Sequence, residues 1–176
     1  AGDDNRATVK LLSDIETSEL IKVEKSVVID LNGKTITSSD ITVTVDGGEL
    51  TVVDNTEDKS GKIISTHATG NEAVAVKGGG KFTLNSGNIE GASYGVYLYT
   101  SGGTGNINGG TITIGGEYQD GMTVALASDK CSLTVTDGTF TANGVNYPIY
   151  TWSENTIELK GGMFDFKPNS KYIANG

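Results

Sequence analysis

The chain has 176 residues, 36% of them hydrophobic, with 25 glycines, two prolines, a single cysteine and a formal net charge of -9. That length suits one domain with a core and leaves little for a second. An acidic surface without a Lys/Arg cluster argues against nucleic acid, one cysteine rules out an internal disulfide or a cysteine-based metal site, and no apolar run is long enough to insert in a membrane.

Taken in chain order, residues 1–20 read as an N-terminal lead-in or cap, with Asp14 to Leu20 the one candidate for a helical turn. The first residues show neither the basic start nor the apolar middle of a signal peptide. From 21 to 166 the pattern is short alternating runs such as Ile41-Thr42-Val43-Thr44-Val45, with no sustained 3.6-residue apolar period. One phrase recurs: an alternating strand, a turn with glycine, then another apolar residue. It is clearest in Ile29-Asp30-Leu31-Asn32-Gly33-Lys34-Thr35-Ile36, in 82–89 and in 133–140. Leu31, Val52, Leu84, Ile107, Val135 and Leu159 form one column at intervals of 21, 32, 23, 28 and 24 residues. Ile21/Val23, Val43/Val45, Val74/Val76, Val96/Leu98, Val124/Leu126 and Ile149/Thr151 form a second column. Ile36, Ile63, Ile89, Ile112, Phe140 and Phe164 form a third.

Three columns in constant relative register, joined by turns too short for a crossover helix, predict coils of chain stacked on one another. An antiparallel sandwich also shows short alternating strands, but nothing in it requires the same phrase at constant internal spacing. The expected fold is all-β: one single-stranded right-handed parallel β-helix over residues 1–176, about six to seven coils of three short strands each, its hand following the usual parallel crossover. Residues 167–176 read as the C-terminal cap, where Tyr172 and Ile173, with Phe166 just before them, fold over the last coil.

The phrase Val28-Ile29-Asp30-Leu31-Asn32-Gly33-Lys34-Thr35-Ile36, after Ile21-Lys22-Val23, resembles the opening coils of pectin-lyase-like β-helix domains. Gly161-Gly162-Met163-Phe164 followed by 168–176 resembles the closing segment of such domains in large surface proteins of gut bacteria. The likeness covers nearly the whole chain and extends to β-helical fibres of bacteriophages. It implies an extracellular or cell-surface module, or alternatively a virion component, and it specifies fold more than function.

Catalysis in that superfamily would call for a basic residue on the helix face beside calcium-binding acids, or for paired carboxylates on adjacent rungs. Here the only arginine is Arg6, ahead of the first clear strand, and Lys77 or Lys160 would need a strongly lowered pKa. His67 stands in a loop without a Ser/Asp partner arrangement. No catalytic residue is assigned, and a lyase or hydrolase with an atypical site is kept as the second alternative. No cofactor is expected. Calcium has one weak oxygen-rich candidate, Asp54 with Glu57 and Asp58, whose spacing is not that of an EF-hand and which reads first as a solvated acidic loop. Cys131 reads as core or turn packing.

With the second column pointing inward, alternation sends its neighbours outward on one face: Ala75 and Lys77, Tyr97 and Tyr99, Ala125 and Ala127, Tyr150 and Trp152, with Lys22/Glu24 and Thr42/Thr44 on the earlier rungs. Aromatic rungs two steps apart would lie roughly 10 Å from each other, a shallow trough on the scale of a disaccharide, with Glu117, Tyr118, Gln119 and Asp120 at its edge. The leading expectation is a non-catalytic, adhesive module that binds a polysaccharide or host-surface glycan by stacking on Tyr97, Tyr99, Tyr150 and Trp152. The first alternative makes the same patch a subunit contact of a phage fibre, spike or capsid-decoration protein, for instance in a trimer.

Overall fold

A computed structural model describes residues 6–67, 70–115, 120–145, 149–154 and 156–174. The chain winds through about six turns of a parallel β-solenoid. The first coil carries β1 (Ala7–Lys10), β2 (Ile15–Thr17) and β3 (Ile21–Val23); the second β4 (Ser26–Asp30), β5 (Thr35–Ser38) and β6 (Val43–Asp46); the third β7 (Glu49–Val53), β8 (Lys62–Ser65) and β9 (Glu72–Lys77). The fourth carries β10 (Gly80–Leu84), β11 (Asn88–Gly91) and β12 (Tyr94–Leu98). In the fifth and sixth the first two strands fuse, giving β13 (Gly103–Ile114) with β14 (Met122–Leu126), and β15 (Cys131–Thr141) with β16 (Ile149–Thr151). A partial coil of β17 (Thr156–Leu159), β18 (Met163–Phe164) and a 3-10 turn over Ser170–Tyr172 closes the stack.

Among the described residues all strand pairs are parallel. One sheet stacks the third strands in the order β3, β6, β9, β12, β14, β16, and a second sheet wraps the other two sides, with β13 and β15 running across both. The fusion happens where glycines let the chain bend, with the pairing register shifting between Ile107 and Thr111 and resuming beyond it. Gly110 has φ +75°, and a Cβ there would meet the Gly87 carbonyl oxygen at 2.5 Å.

The second and third apolar columns read from the sequence are the observed ones, rung for rung. The first needs one correction. Ile29, not Leu31, stands opposite Val52, and Leu31 occupies the corner two residues on. Both are buried in the core, so apolar spacing alone could not separate them. Stacking also begins earlier than the residue 21 expected. β1 pairs with β4 and β2 with β5, so Ala7 to Thr17 already belong to a coil, and the anticipated helical turn after Asp14 is a strand.

The two ends differ. At the C-terminus Tyr172 is buried, Ile173 bridges in parallel to Leu159, Phe164 stacks on Phe140 at 4.8 Å between centroids, and Phe166 packs on the core. At the other end Val9, Leu12, Ile15 and Leu20 remain exposed.

The longest interval, between Val52 and Leu84, contains a polar insertion organised around Asp54, whose side chain is fully buried. Its carboxylate accepts from the backbone N–H of Gly33 (3.2 Å), Thr56 (3.0 Å) and Gly61 (2.6 Å) and from the Thr56 hydroxyl (2.6 Å). Neighbouring Asp30 accepts from the N–H groups of Asn32 and Asn55 and from the Asn55 carboxamide. Burial alone would raise the pKa of both acids, but these donors outweigh it and hold both below the ordinary value near 3.8.

Two outcomes follow from this architecture. Because the folded pKa values of Asp30 and Asp54 lie below the unfolded ones, their stabilisation is complete above the ordinary carboxylate range and is lost as pH falls through the folded values. Asp54→Ala should therefore lower unfolding free energy at pH 7 by about 3 kcal/mol, by stranding several buried N–H donors, and the gap to wild type should shrink in denaturant titrations below pH 4. A constant gap across pH would contradict the assignment. Gly110→Ala, combining a left-handed φ with a backbone clash, should cost about 2 kcal/mol in the same assay, whereas a change under about 0.5 kcal/mol would show that the bend tolerates a side chain.

Candidate functional site

The outer side of the sheet that ends in β16 gathers five aromatic side chains, and the strand register explains how. Thr44, Ala75, Tyr97, Ala125 and Tyr150 stand in one column. Asp46 pairs with Lys77 in the next column, and the ladder bonds Tyr99 N to Val76 O, Ala127 N to Leu98 O and Trp152 N to Leu126 O extend that column to Tyr99, Ala127 and Trp152. The early rungs differ from the sequence expectation. Lys22 pairs with Thr44, so Glu24 corresponds to Asp46, and Thr42 lies one step out of the face, buried with its hydroxyl donating to the Ile64 carbonyl at 2.7 Å.

Alternate rungs of small and large residues predicted an open trough. The rings instead lean together over the alanines. Tyr97 and Trp152, two rungs apart, have centroids 5.9 Å apart at 34°. Tyr97 also contacts Tyr99 (4.7 Å) and Tyr94 (5.3 Å, edge to face), and Trp152 contacts Tyr150 (5.2 Å, edge to face). The set is continuous, in the tilted and edge-on geometries that aromatic quadrupoles favour. Ala125 is fully covered, while Trp152 keeps 49% of its surface exposed and the tyrosines are half-buried. What the face offers is a raised, irregular aromatic surface with Trp152 at its crest.

Beneath the rings lies Glu72, 1% exposed, whose Oε1 accepts the Tyr99 hydroxyl at 2.6 Å. Alternation from Val74 and Val76 would place Glu72 inside. The chain departs from strict alternation here, because Ala73 and Val74 both belong to the core. Tyr94, the register partner of Glu72, reaches the outer face by the same departure, beside Gly95, where a Cβ would meet Ile112 at 2.5 Å. Neither residue is found by alternation. The local signal is a glycine or alanine just ahead of the inward valine. Burial raises the Glu72 carboxyl above its ordinary value near 4.5, with the Tyr99 bond opposing, and burial together with Glu72 pushes the Tyr99 phenol well above its usual range.

Of the other expected residues, Lys77 is half-buried in the Tyr99 column and Asp120 is exposed in a turn, while Glu117, Tyr118 and Gln119 lie outside the described residues. Asp54 is not available to an ion, since protein donors surround its carboxylate, and Glu57 and Asp58 are exposed on the insertion. Among the described residues no three His, Cys, Asp or Glu side chains converge on a metal position. No helix among them is long and apolar enough to cross a membrane. Cys131 is buried in the core, its thiol near the Leu98 and Tyr99 carbonyls.

Two further surfaces adjoin this face or oppose it. Tyr150 also lines a cleft of about 640 Å³ between β16 and Phe166, Pro168, Lys171 and Tyr172. On the other sheet Thr51, Thr83, Asn106 and Thr134 form a polar column, beside which Asn108 donates to Asn85 and accepts from Thr136, each at 3.0 Å. The chain matches no protein-family model, no curated protein and no solved structure.

The raised pKa of Glu72 has a signed consequence. Its folded value exceeds the unfolded one, so the stability associated with the neutral acid is present at low pH and is lost as pH rises through the folded value. Glu72→Gln, which retains a carbonyl acceptor, should melt about 3 °C above wild type at pH 7 and level with it below about pH 4. Parallel melting curves across that range would show that Glu72 ionises normally.

Proposed function

We propose that this chain is a non-catalytic β-helical module of the pectin-lyase-like superfamily, working at a cell surface or outside the cell, and that it binds carbohydrate on the aromatic face of Tyr97, Tyr99, Tyr150 and Trp152. The observation that carries the reading is the continuous ring set crowned by a half-exposed tryptophan on a rigid sheet. Pyranose rings present apolar C–H faces that stack on such surfaces, and a preformed strand scaffold limits the ordering cost of binding. Lys77 supplies a hydrogen-bond donor at one edge. The cleft beyond Tyr150 lengthens the surface in the direction a chain of sugars would follow.

The structural alternative is favoured by a different observation. The first coil exposes Leu12 at 84% and Leu20 at 46%, apolar side chains suited to contact between subunits.

A glycan array tests the main reading, and sedimentation velocity tests the alternative. Trp152→Ala and Tyr97→Ala should each weaken binding to any glycan the wild type captures by at least about tenfold, with the far-ultraviolet circular dichroism unchanged. No capture of any glycan, or capture that survives both substitutions, would sink the carbohydrate assignment. A stable oligomer that dissociates on Leu12→Asp would place the function in assembly instead.

A further inference from the structure

We propose that Glu72 is the positioning residue of the aromatic face: its buried carboxylate holds the Tyr99 hydroxyl at 2.6 Å and so fixes Tyr99 against Tyr97 and, through Tyr97, against Trp152. This deepens, and rests on, the reading of that face as a carbohydrate site.

A long phenol side chain on an outer strand can swing about two torsions, and a platform made of such rings loses affinity to their disorder. Here the far end of Tyr99 is anchored. Its hydroxyl crosses from the column of Lys77 to that of Tyr94, which lays the ring over the face beside Tyr97 with centroids 4.7 Å apart. The anchor is a close one, a 2.6 Å bond from the phenol to an oxygen shielded from competing water.

Glu72 is costly where it stands. It is almost completely shielded, and its surroundings include Asp40, which disfavours its charge, as well as Lys77, Tyr97 and Tyr99. Asp40 is itself held by the Asn71 carboxamide and the Ile41 N–H. No salt bridge compensates the Glu72 carboxylate among the described residues, and a neutral side chain of similar size would relieve the desolvation. A group that costs stability while ordering the exposed ring set belongs to the site rather than to the core.

The bond also sets what Tyr99 presents to a ligand. With its proton committed to Glu72, the phenol oxygen offers only lone pairs outward, so it accepts from a sugar hydroxyl and donates to none.

The test uses the whole chain with Glu72→Ala, Glu72→Gln and Tyr99→Phe, and two readouts. The first needs no ligand: ultraviolet titration of the tyrosines, with circular dichroism confirming the fold at each pH. Of the seven tyrosines, Tyr99 should resist ionisation beyond the ordinary phenol pKa of about 10 in wild type, and that resistance should fall in Glu72→Ala by the part that Glu72 adds to burial. The second is affinity electrophoresis in gels containing xylan, galactan, mixed-linkage β-glucan or chondroitin sulfate. Against whichever of these retards the wild type, Glu72→Ala and Tyr99→Phe should each bind about tenfold more weakly, Glu72→Gln within about twofold of wild type, and the double variant no worse than either single. If Glu72→Ala does not fold, Tyr99→Phe breaks the same bond and is read in its place by retardation and near-ultraviolet circular dichroism.

Wild-type tyrosines that all ionise near pH 10 would overturn the positioning role. So would a Trp152→Ala variant that loses retardation while Glu72→Ala and Tyr99→Phe keep it. If none of the four polysaccharides retards the wild type, the carbohydrate reading is what suffers, and the titration still decides whether Glu72 holds Tyr99.

Discussion

Every feature of this molecule depends on the parallel backbone ladder between successive coils. Each strand finds its hydrogen-bond partners one turn of chain earlier and one turn later, so the three apolar columns must stay in register for the core to close. Insertions are accommodated only where they leave that register untouched. The Asp54 insertion shows how: its polar loop leaves between two strands, and the buried carboxylate gathers two N–H groups of the loop and one from the coil before it. The ladder resumes on the far side with Ile63 directly above Ile36. The long, bent β13 and β15 solve a related problem, turning a corner on glycine with a local register shift and resuming the ladder at Thr111 and Thr139.

The same ladder makes the aromatic face. Side chains at equivalent rungs are placed about 4.8 Å apart by the backbone, whatever their identity, so a column that alternates alanine with aromatic residues leaves room for rings to tilt toward each other. That room is used. Trp152 meets Tyr97, trading the open trough for ring contacts while keeping half its own surface exposed. The polar side of this arrangement lies underneath, where Glu72 joins the ring set to the sheet.

How much of this was legible in the sequence can be judged residue by residue. The second and third columns were readable because Val, Ile and Leu alternate cleanly at constant intervals and nothing competes with them. Leu31 was misplaced because Ile29 and Leu31 are both apolar and both buried, one on the strand and one at the corner, and period-two spacing cannot distinguish them. Thr42 and Thr44 were matched one pair out of step: Thr44 belongs with Lys22 and Ala75, which only the pairing of Ile21 with Val43 reveals. Glu72 and Tyr94 were missed because alternation fails at the corner where Ala73 and Val74 both turn inward. The identities of the aromatic residues were plain, but their closure over Ala125 depends on side-chain torsions that no spacing rule encodes.

The asymmetry of the two ends bears on how the stack comes apart. In a quasi-one-dimensional protein each coil is held only by its neighbours, so opening starts where a neighbour is missing and moves inward coil by coil. Tyr172 and Phe164 pack on the final rungs and brace them, whereas Leu12 and Leu20 of the first coil are exposed. Ala75, where the outer face turns from charged to aromatic, lies in the third coil, with the rings beyond it in the fourth and sixth. Any opening that began in the first coil would therefore have to cross the whole of the second and third coils before it reached Tyr97, so the ring set is kept in shape at a distance from it.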